Sequence, residues 1–175
     1  MTNSVATNPA IFALEDDHED SELLRILLRK AGHLDRVQFF PDGEEIVRAL
    51  RKLVENSVKA VKPFLCLLDI RLPSLGGIDV LRWIRAQPAL DRMPVVMLSS
   101  SEHPRDIQNA MQSGAQCYLT KYPQPRVLRD VIDDAQRFAS GTPAEECFRI
   151  PNNLLLVRCR RLSGKPTVLP ASPRA

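Results

Sequence analysis

The chain has 175 residues, 44% hydrophobic and 26% charged, enough for one sizeable core and a short appendage but not for a second full domain. Its net charge of +3 is unevenly spread: six basic and two acidic residues after Ser140 give the tail +4, leaving 18 basic and 19 acidic residues elsewhere, a balance of −1. No global basic field points to nucleic acid, and no stretch approaches the ~20 apolar residues of a membrane span, so neither partner is expected and the location is read as cytoplasmic.

Between residues 11 and 139, short apolar runs alternate with amphipathic stretches five times. That alternation predicts an α/β fold: a doubly wound, five-stranded parallel sheet with crossover helices. The first strand, 11–14, runs into Glu15-Asp16-Asp17, and Asp17 reads as a first-turn acid of the helix over about 19–31. Leucines at 23, 24, 27 and 28 give that helix its apolar stripe, and Gly32 its stop. A second strand, 37–40, turns through Pro41-Asp42-Gly43 into a helix from 44 to about 58, with Ile46, Val47, Leu50, Leu53 and Val54 on one face.

The third strand, 64–68, starts after Pro63 and stops at Asp69. An apolar run of that length reads as a strand buried on both faces. Asp69 then faces the crevice at the carboxyl ends of the strands, where open α/β sheets place their chemistry. Pro73 and Gly77 shape the following loop, and Trp83 packs the helix over 77–86 onto the sheet. A strand at 95–98 ends at Ser99, a helix over 104–113 is stopped by Gly114, and a strand at 117–120 ends at Lys121. The last helix, 126–138, turns Val127, Leu128, Val131, Ile132 and Ala135 inward.

Ser140-Gly141-Thr142-Pro143 marks a change of composition. The organisation is therefore read as a disordered N-terminus at 1–10, one domain over 11–140 and a C-terminal extension over 141–175. In the extension, 148–150 and 154–157 form two strands around Pro151-Asn152-Asn153, the second covering an apolar patch on this domain or on a partner, before a disordered tail from 164. The 35 residues after Ser140 fall below the ~50 of an ordinary domain, so no DNA-binding output domain is expected. Cys66, Cys117, Cys147 and Cys159 lie far apart and read as small buried hydrophobes in a reducing compartment, without disulfides or zinc. His18, His33 and His103 match no metal or catalytic spacing and read as surface or helix-end residues.

Alone, Asp69 would be read as a cap or loop carboxylate. Its company changes that reading. Glu15 and Asp16 end the first strand at the same sheet edge, so three carboxylates converge as oxygen ligands suited to octahedral Mg2+, with the Arg71 backbone carbonyl a further ligand. Lys121 supplies a point-charge counterion and Ser99 a hydroxyl at that edge. A carboxylate that accepts a phosphoryl group needs its charge and that of the phosphate neutralised in this way. A phosphatase with an aspartyl-phosphate intermediate would want a second carboxylate at position 71, where arginine stands.

Four motifs occur in the order of a known family: Leu14-Glu15-Asp16-Asp17; Leu68-Asp69-Ile70-Arg71-Leu72-Pro73 with Gly77; Pro94-Val95-Val96-Met97-Leu98-Ser99-Ser100; and Gly114-Ala115-Gln116-Cys117-Tyr118-Leu119-Thr120-Lys121. From about 11 to 138 the chain resembles a response-regulator receiver domain of flavodoxin-like (β/α)5 fold. The resemblance implies Asp69 as phosphoacceptor, Glu15 and Asp16 as metal ligands, Lys121 as the phosphate-binding lysine, and Ser99 and Tyr118 as switch residues. It implies no classical enzyme, but a cytoplasmic phosphorelay protein that takes its phosphoryl group from a histidine kinase or a histidine phosphotransfer protein.

The length between Asp16 and Asp69 is similar to that in single-domain receivers that partner phytochrome-type histidine kinases. Output would be altered protein binding, including a homodimer through the fourth helix, fifth strand and fifth helix with help from the extension. The rival reading is a pseudo-receiver, an interaction module that does not turn over phosphate. It is suggested by Tyr122, which stands between Lys121 and Pro123 where the family usually has proline after its lysine. A cis bond before a non-proline residue costs ~2.5–4 kcal/mol, which predicts a trans bond at Tyr122 or a cis bond moved to Tyr122–Pro123.

Overall fold

Every apolar run predicted before residue 140 forms a strand. The computed structural model describes residues 10–55, 62–90, 92–143 and 146–148, and the backbone of 157–159. Strands β1 (Ile11–Leu14), β2 (Val37–Phe40), β3 (Leu65–Asp69), β4 (Val95–Ser99) and β5 (Cys117–Thr120) alternate with helices α1 (His18–Ala31), α2 (Gly43–Glu55), α3 (Gly77–Arg85), α4 (Pro104–Gln112) and α5 (Pro125–Ala139). The sheet order is β2-β1-β3-β4-β5, all parallel, so the order reverses between β1 and β3 and opens a crevice at their carboxyl ends.

Successive side chains of each strand point to opposite faces, and both faces are buried. Ile11, Ala13, Leu65, Leu67, Val96 and Leu98 pack with Leu24 and Leu28 of α1 and the inner stripe of α5. Phe12, Leu14, Cys66, Leu68, Val95 and Met97 pack under α2, α3 and α4, with Trp83 half-buried against this second cluster. Leu23 departs from the predicted stripe and is exposed. Beneath the strand ends, Arg85 of α3 donates to the carbonyls of Gly114 and Met93 and to Gln116 Oε1, which also accepts from the Val95 amide. One guanidinium thereby fixes the entries of β4 and β5.

The C-terminal half of the molecule corrects several expectations. To the five parallel strands, as expected, the described residues add a sixth: β6 (Val157–Cys159) pairs antiparallel with β5 along its outer edge. Of the predicted extension strands, only residue 157 belongs to β6; the rest of 149–156, like 1–9, 56–61 and 160–175, lies outside the described residues. The core also crosses the compositional break at Ser140. Cys147 and Phe148 are buried among the side chains of α5, and the Phe148 amide donates to Asp134 Oδ2 at 2.7 Å. Phe148 has φ +58°, a left-handed conformation that ends any strand there.

The cysteines are not all free thiols. Cys66 and Cys147 are free and buried, whereas Cys117 is disulfide-bonded, and β6 sets the Cys159 backbone directly across from it. That antiparallel neighbour was invisible to a reading based on sequence spacing. Removing the buried Phe148 ring tests whether the segment after α5 belongs to the core: Phe148→Ala should lower unfolding free energy by ~3 kcal/mol in urea denaturation. A loss within ~0.5 kcal/mol, the range of surface substitutions, would show that it does not.

Candidate functional site

The strand ladders place the chemistry. β3 and β4 each run one residue beyond the predicted bounds, so Asp69 and Ser99 are the last residues of buried strands, paired with Leu98 and Thr120. Glu15 continues β1, its amide donating to the Phe40 carbonyl, and Lys121 continues β5, its amide donating to the Ser99 carbonyl. Four functional side chains thus leave one sheet edge from backbone held by inter-strand bonds. Gly77 opens α3 directly beneath Asp69: a Cβ there would run into the Asp69 carbonyl, so only glycine permits the approach. A Cβ at Gly43 would likewise meet Leu75 of the loop after β3.

At the centre of the site is an ammonium. Lys121 Nζ lies 2.6 Å from Glu15 Oε2, 2.7 Å from Asp20 Oδ2 and 2.9 Å from Asp69 Oδ2, with only 5% of its side chain exposed. Burial opposes its charge, but hydrogen bonds to Asp20, Glu15 and Asp69 outweigh that and hold its pKa above that of an ordinary lysine. Burial pushes the Glu15 carboxyl up to about 7 despite the opposing pull of Lys121. The Lys121 hydrogen bond, then that from Tyr122, pulls the Asp20 carboxyl down. The other Asp69 oxygen, Oδ1, accepts from the Arg71 amide at 3.3 Å.

Glu15, Asp16 and Asp69 offer carboxylate oxygens that all lie within 4.8 Å of one another. Glu15 Oε1 is buried without a hydrogen-bond partner. A buried carboxylate oxygen left without a donor is costly, and a hard cation beside it would remove the cost, so these residues fit one. Asp16 is exposed, while Asp17 caps α1 by accepting from the Asp20 amide at 2.9 Å.

Ser99 is fully buried, its hydroxyl accepting from the Ser101 amide. Tyr118 is 1% exposed and already turned inward: its hydroxyl donates to the Ser101 carbonyl at 2.7 Å, with the Ser99 hydroxyl also within its reach. Burial raises the pKa of that phenol. The Ser101 hydroxyl donates to Asp106 at 2.5 Å and His103 caps α4, so the loop after Ser99 is tied to that helix. His33, expected at the surface or a helix end, follows the C-cap of α1 and pairs with Asp133 at 3.2 Å. The Lys121–Tyr122 peptide is cis, against the expectation of a trans bond or of a cis bond at Tyr122–Pro123; the Tyr122 hydroxyl donates to Asp20. Asp20 and Tyr122 are the site residues that the sequence reading missed. Only the acids opening α1 hinted at Asp20, and those are ordinary at a helix N-terminus.

A family model for the response regulator receiver domain matches residues 11–133. The chain belongs to that family. The DNA-binding response regulator MtrA of Mycobacterium tuberculosis is 33% identical over 135 residues, which make up 77% of this chain and 54% of MtrA. The chain thus spans about half the length of that relative. The response regulator Rcp1 of Synechocystis is 32% identical over 136 residues, covering 77% of this chain and 90% of Rcp1. Among solved structures, the phosphorylated cyanobacterial phytochrome response regulator RcpA is similar at a TM-score of 0.60 and 32% identity, over 78% of this chain and 96% of RcpA. Rcp1 has been solved in a Mn2+-bound form, similar at a TM-score of 0.56 and 30% identity over 77% of this chain and 96% of Rcp1. Receiver domains are two-component signalling modules in which a phosphorylated aspartate and Mg2+ binding at an acidic pocket are typical.

Because folding raises the Glu15 pKa from 4.5 to about 7, the folded state binds that proton more tightly than the unfolded chain does. The associated stability is present below pH 4.5 and lost as pH rises through about 7. In metal-free buffer, wild-type melting temperature should therefore fall relative to Glu15→Gln across that interval. Parallel pH profiles of the two proteins would contradict the assignment.

Proposed function

We propose that this receiver accepts a phosphoryl group on Asp69 from a histidine kinase or a histidine phosphotransfer protein and transmits the event as altered protein binding. The observation that carries the reading is the Asp69 carboxylate, 2.9 Å from the Lys121 ammonium and grouped with Glu15 and Asp16 at the point where the strand order reverses. In the transfer, the P–N bond of phosphohistidine breaks, its electron pair returns to the imidazole, and a P–O bond forms to an Asp69 oxygen. Lys121 offers an N–H to the new phosphoryl oxygens and the Ser99 hydroxyl a further donor. Glu15, Asp16, Asp69 and the Arg71 carbonyl would hold Mg2+. Bound there, it would neutralise charge on the transferring group.

The route outward is supported by the chain of contacts from Ser99 through Ser101 to Asp106 on α4. Tyr118, already inward, locks that chain through the Ser101 carbonyl, so phosphorylation acts on an ordered loop rather than by drawing the ring in. The surface of α4, β5 and α5, with the extension along β5, is the proposed docking face for a partner or a second copy. Similarity to Rcp1 along 90% of its length supports a stand-alone role, and similarity to the phytochrome response regulator RcpA supports a phytochrome-type kinase as donor. No helix among the described residues is long and apolar enough to cross a membrane, and a cytoplasmic site of action is proposed.

Incubation with acetyl phosphate and Mg2+ should add the mass of one phosphoryl group to the wild type and none to Asp69→Asn. An unmodified wild type, or a modified Asp69→Asn, would sink this reading; the former would point instead to an interaction module that does not turn over phosphate.

A further inference from the structure

Phosphoryl acceptance explains Glu15, Asp16, Asp69 and Lys121, but it leaves Asp20 without a part. Asp20 stands in the first turn of α1, three residues after the N-cap Asp17. The turn is already capped by the bond from the Asp20 amide to the Asp17 carboxylate, which does not involve the Asp20 side chain. That side chain instead reaches the loop between β5 and α5. There Oδ2 accepts from Lys121 Nζ at 2.7 Å, closer than Asp69 at 2.9 Å, while Oδ1 accepts from the Tyr122 hydroxyl. A single carboxylate grips two consecutive residues of that loop.

An ammonium has three N–H donors, and Glu15, Asp20 and Asp69 take all three. A phosphoryl group arriving on Asp69 needs one of them. A cation beside its orphan oxygen would give Glu15 an alternative partner, and Asp69 becomes the acyl phosphate. Asp20 gains nothing in exchange, and its charge remains beside the lysine as more negative charge enters. The Tyr122 hydroxyl keeps it from swinging into solvent.

We propose that Asp20, oriented by the Tyr122 hydroxyl, is a positioning residue that competes with the phosphoryl group for Lys121 and so limits how strongly Asp69 retains it. The inference rests on Asp69 being the acceptor. It differs from a capping role for Asp20 in one respect: loss of the charge strengthens anion binding while weakening cation binding. Structural damage would weaken both.

Two titrations separate these cases. Beryllofluoride, an anionic stand-in for the phosphoryl group, is titrated calorimetrically at saturating Mg2+; Mg2+ is titrated separately without fluoride. Asp20→Asn should lower the beryllofluoride half-saturation by roughly fourfold and raise that for the divalent Mg2+ by more, roughly sixteenfold, as expected for one charge removed at about 5 Å from each in a water-like dielectric. Tyr122→Phe, which frees Asp20 without removing its charge, should tighten beryllofluoride binding by a smaller factor, about twofold. It also serves as the test should Asp20→Asn fail to fold. Beryllofluoride binding by Asp20→Asn within twofold of the wild type, or weaker, overturns the competition while leaving the acceptor reading intact. A wild type that binds no beryllofluoride overturns both.

Discussion

A single ammonium has to satisfy carboxylates delivered by three separate elements, β1, α1 and β3, and it hangs from a fourth, β5. Most of the architecture follows from that requirement. The strand order brings β1 and β3 side by side, the Glu15 and Lys121 amides extend the ladders past the regular strands, and Arg85 pins the entry of β5 from beneath. With 5% of the Lys121 side chain exposed, little water is available to replace a lost partner. Removing the lysine would leave Glu15 and Asp69 facing each other as buried like charges.

The anionic groups nevertheless outnumber the lysine. Glu15, Asp16, Asp20 and Asp69 surround one positive charge, and after burial the charges of Asp69 and Asp20 add to what raises the Glu15 pKa. A divalent ion at this edge would relieve that repulsion and lower the electrostatic penalty for an anion approaching the same carboxylates.

Much of this was legible in the sequence because the functional residues sit where apolar runs stop. Asp69 and Ser99 each end a buried strand and Lys121 directly follows one, and period and burial together fix where such residues point. Asp20 was not legible for the same kind of reason: in the first turn of a helix, an acid is ordinary, and nothing local says that it reaches across to another strand. Tyr122 was weighed for its peptide bond, whereas its hydroxyl is what meets the site. Phe148 and Cys147 lie beyond a compositional break that looks like a domain edge, but burial against α5 is decided by tertiary packing and not by local composition. The pairing of β6 with β5 is likewise non-local, and it brings Cys159 opposite Cys117 from 42 positions away along the chain.

Gly77 lends the strand that carries Asp69 a vulnerability of a different kind. The space between the Asp69 carbonyl and the start of α3 is smaller than a methyl group, so this receiver depends on a volume as much as on charges. A relative with every acid, the serine and the lysine intact but alanine at this position would pass any census of charged motifs. It would still have to push α3 off the strand that ends in the central aspartate. Here, completeness of the site is a matter of what is left out as well as what is present.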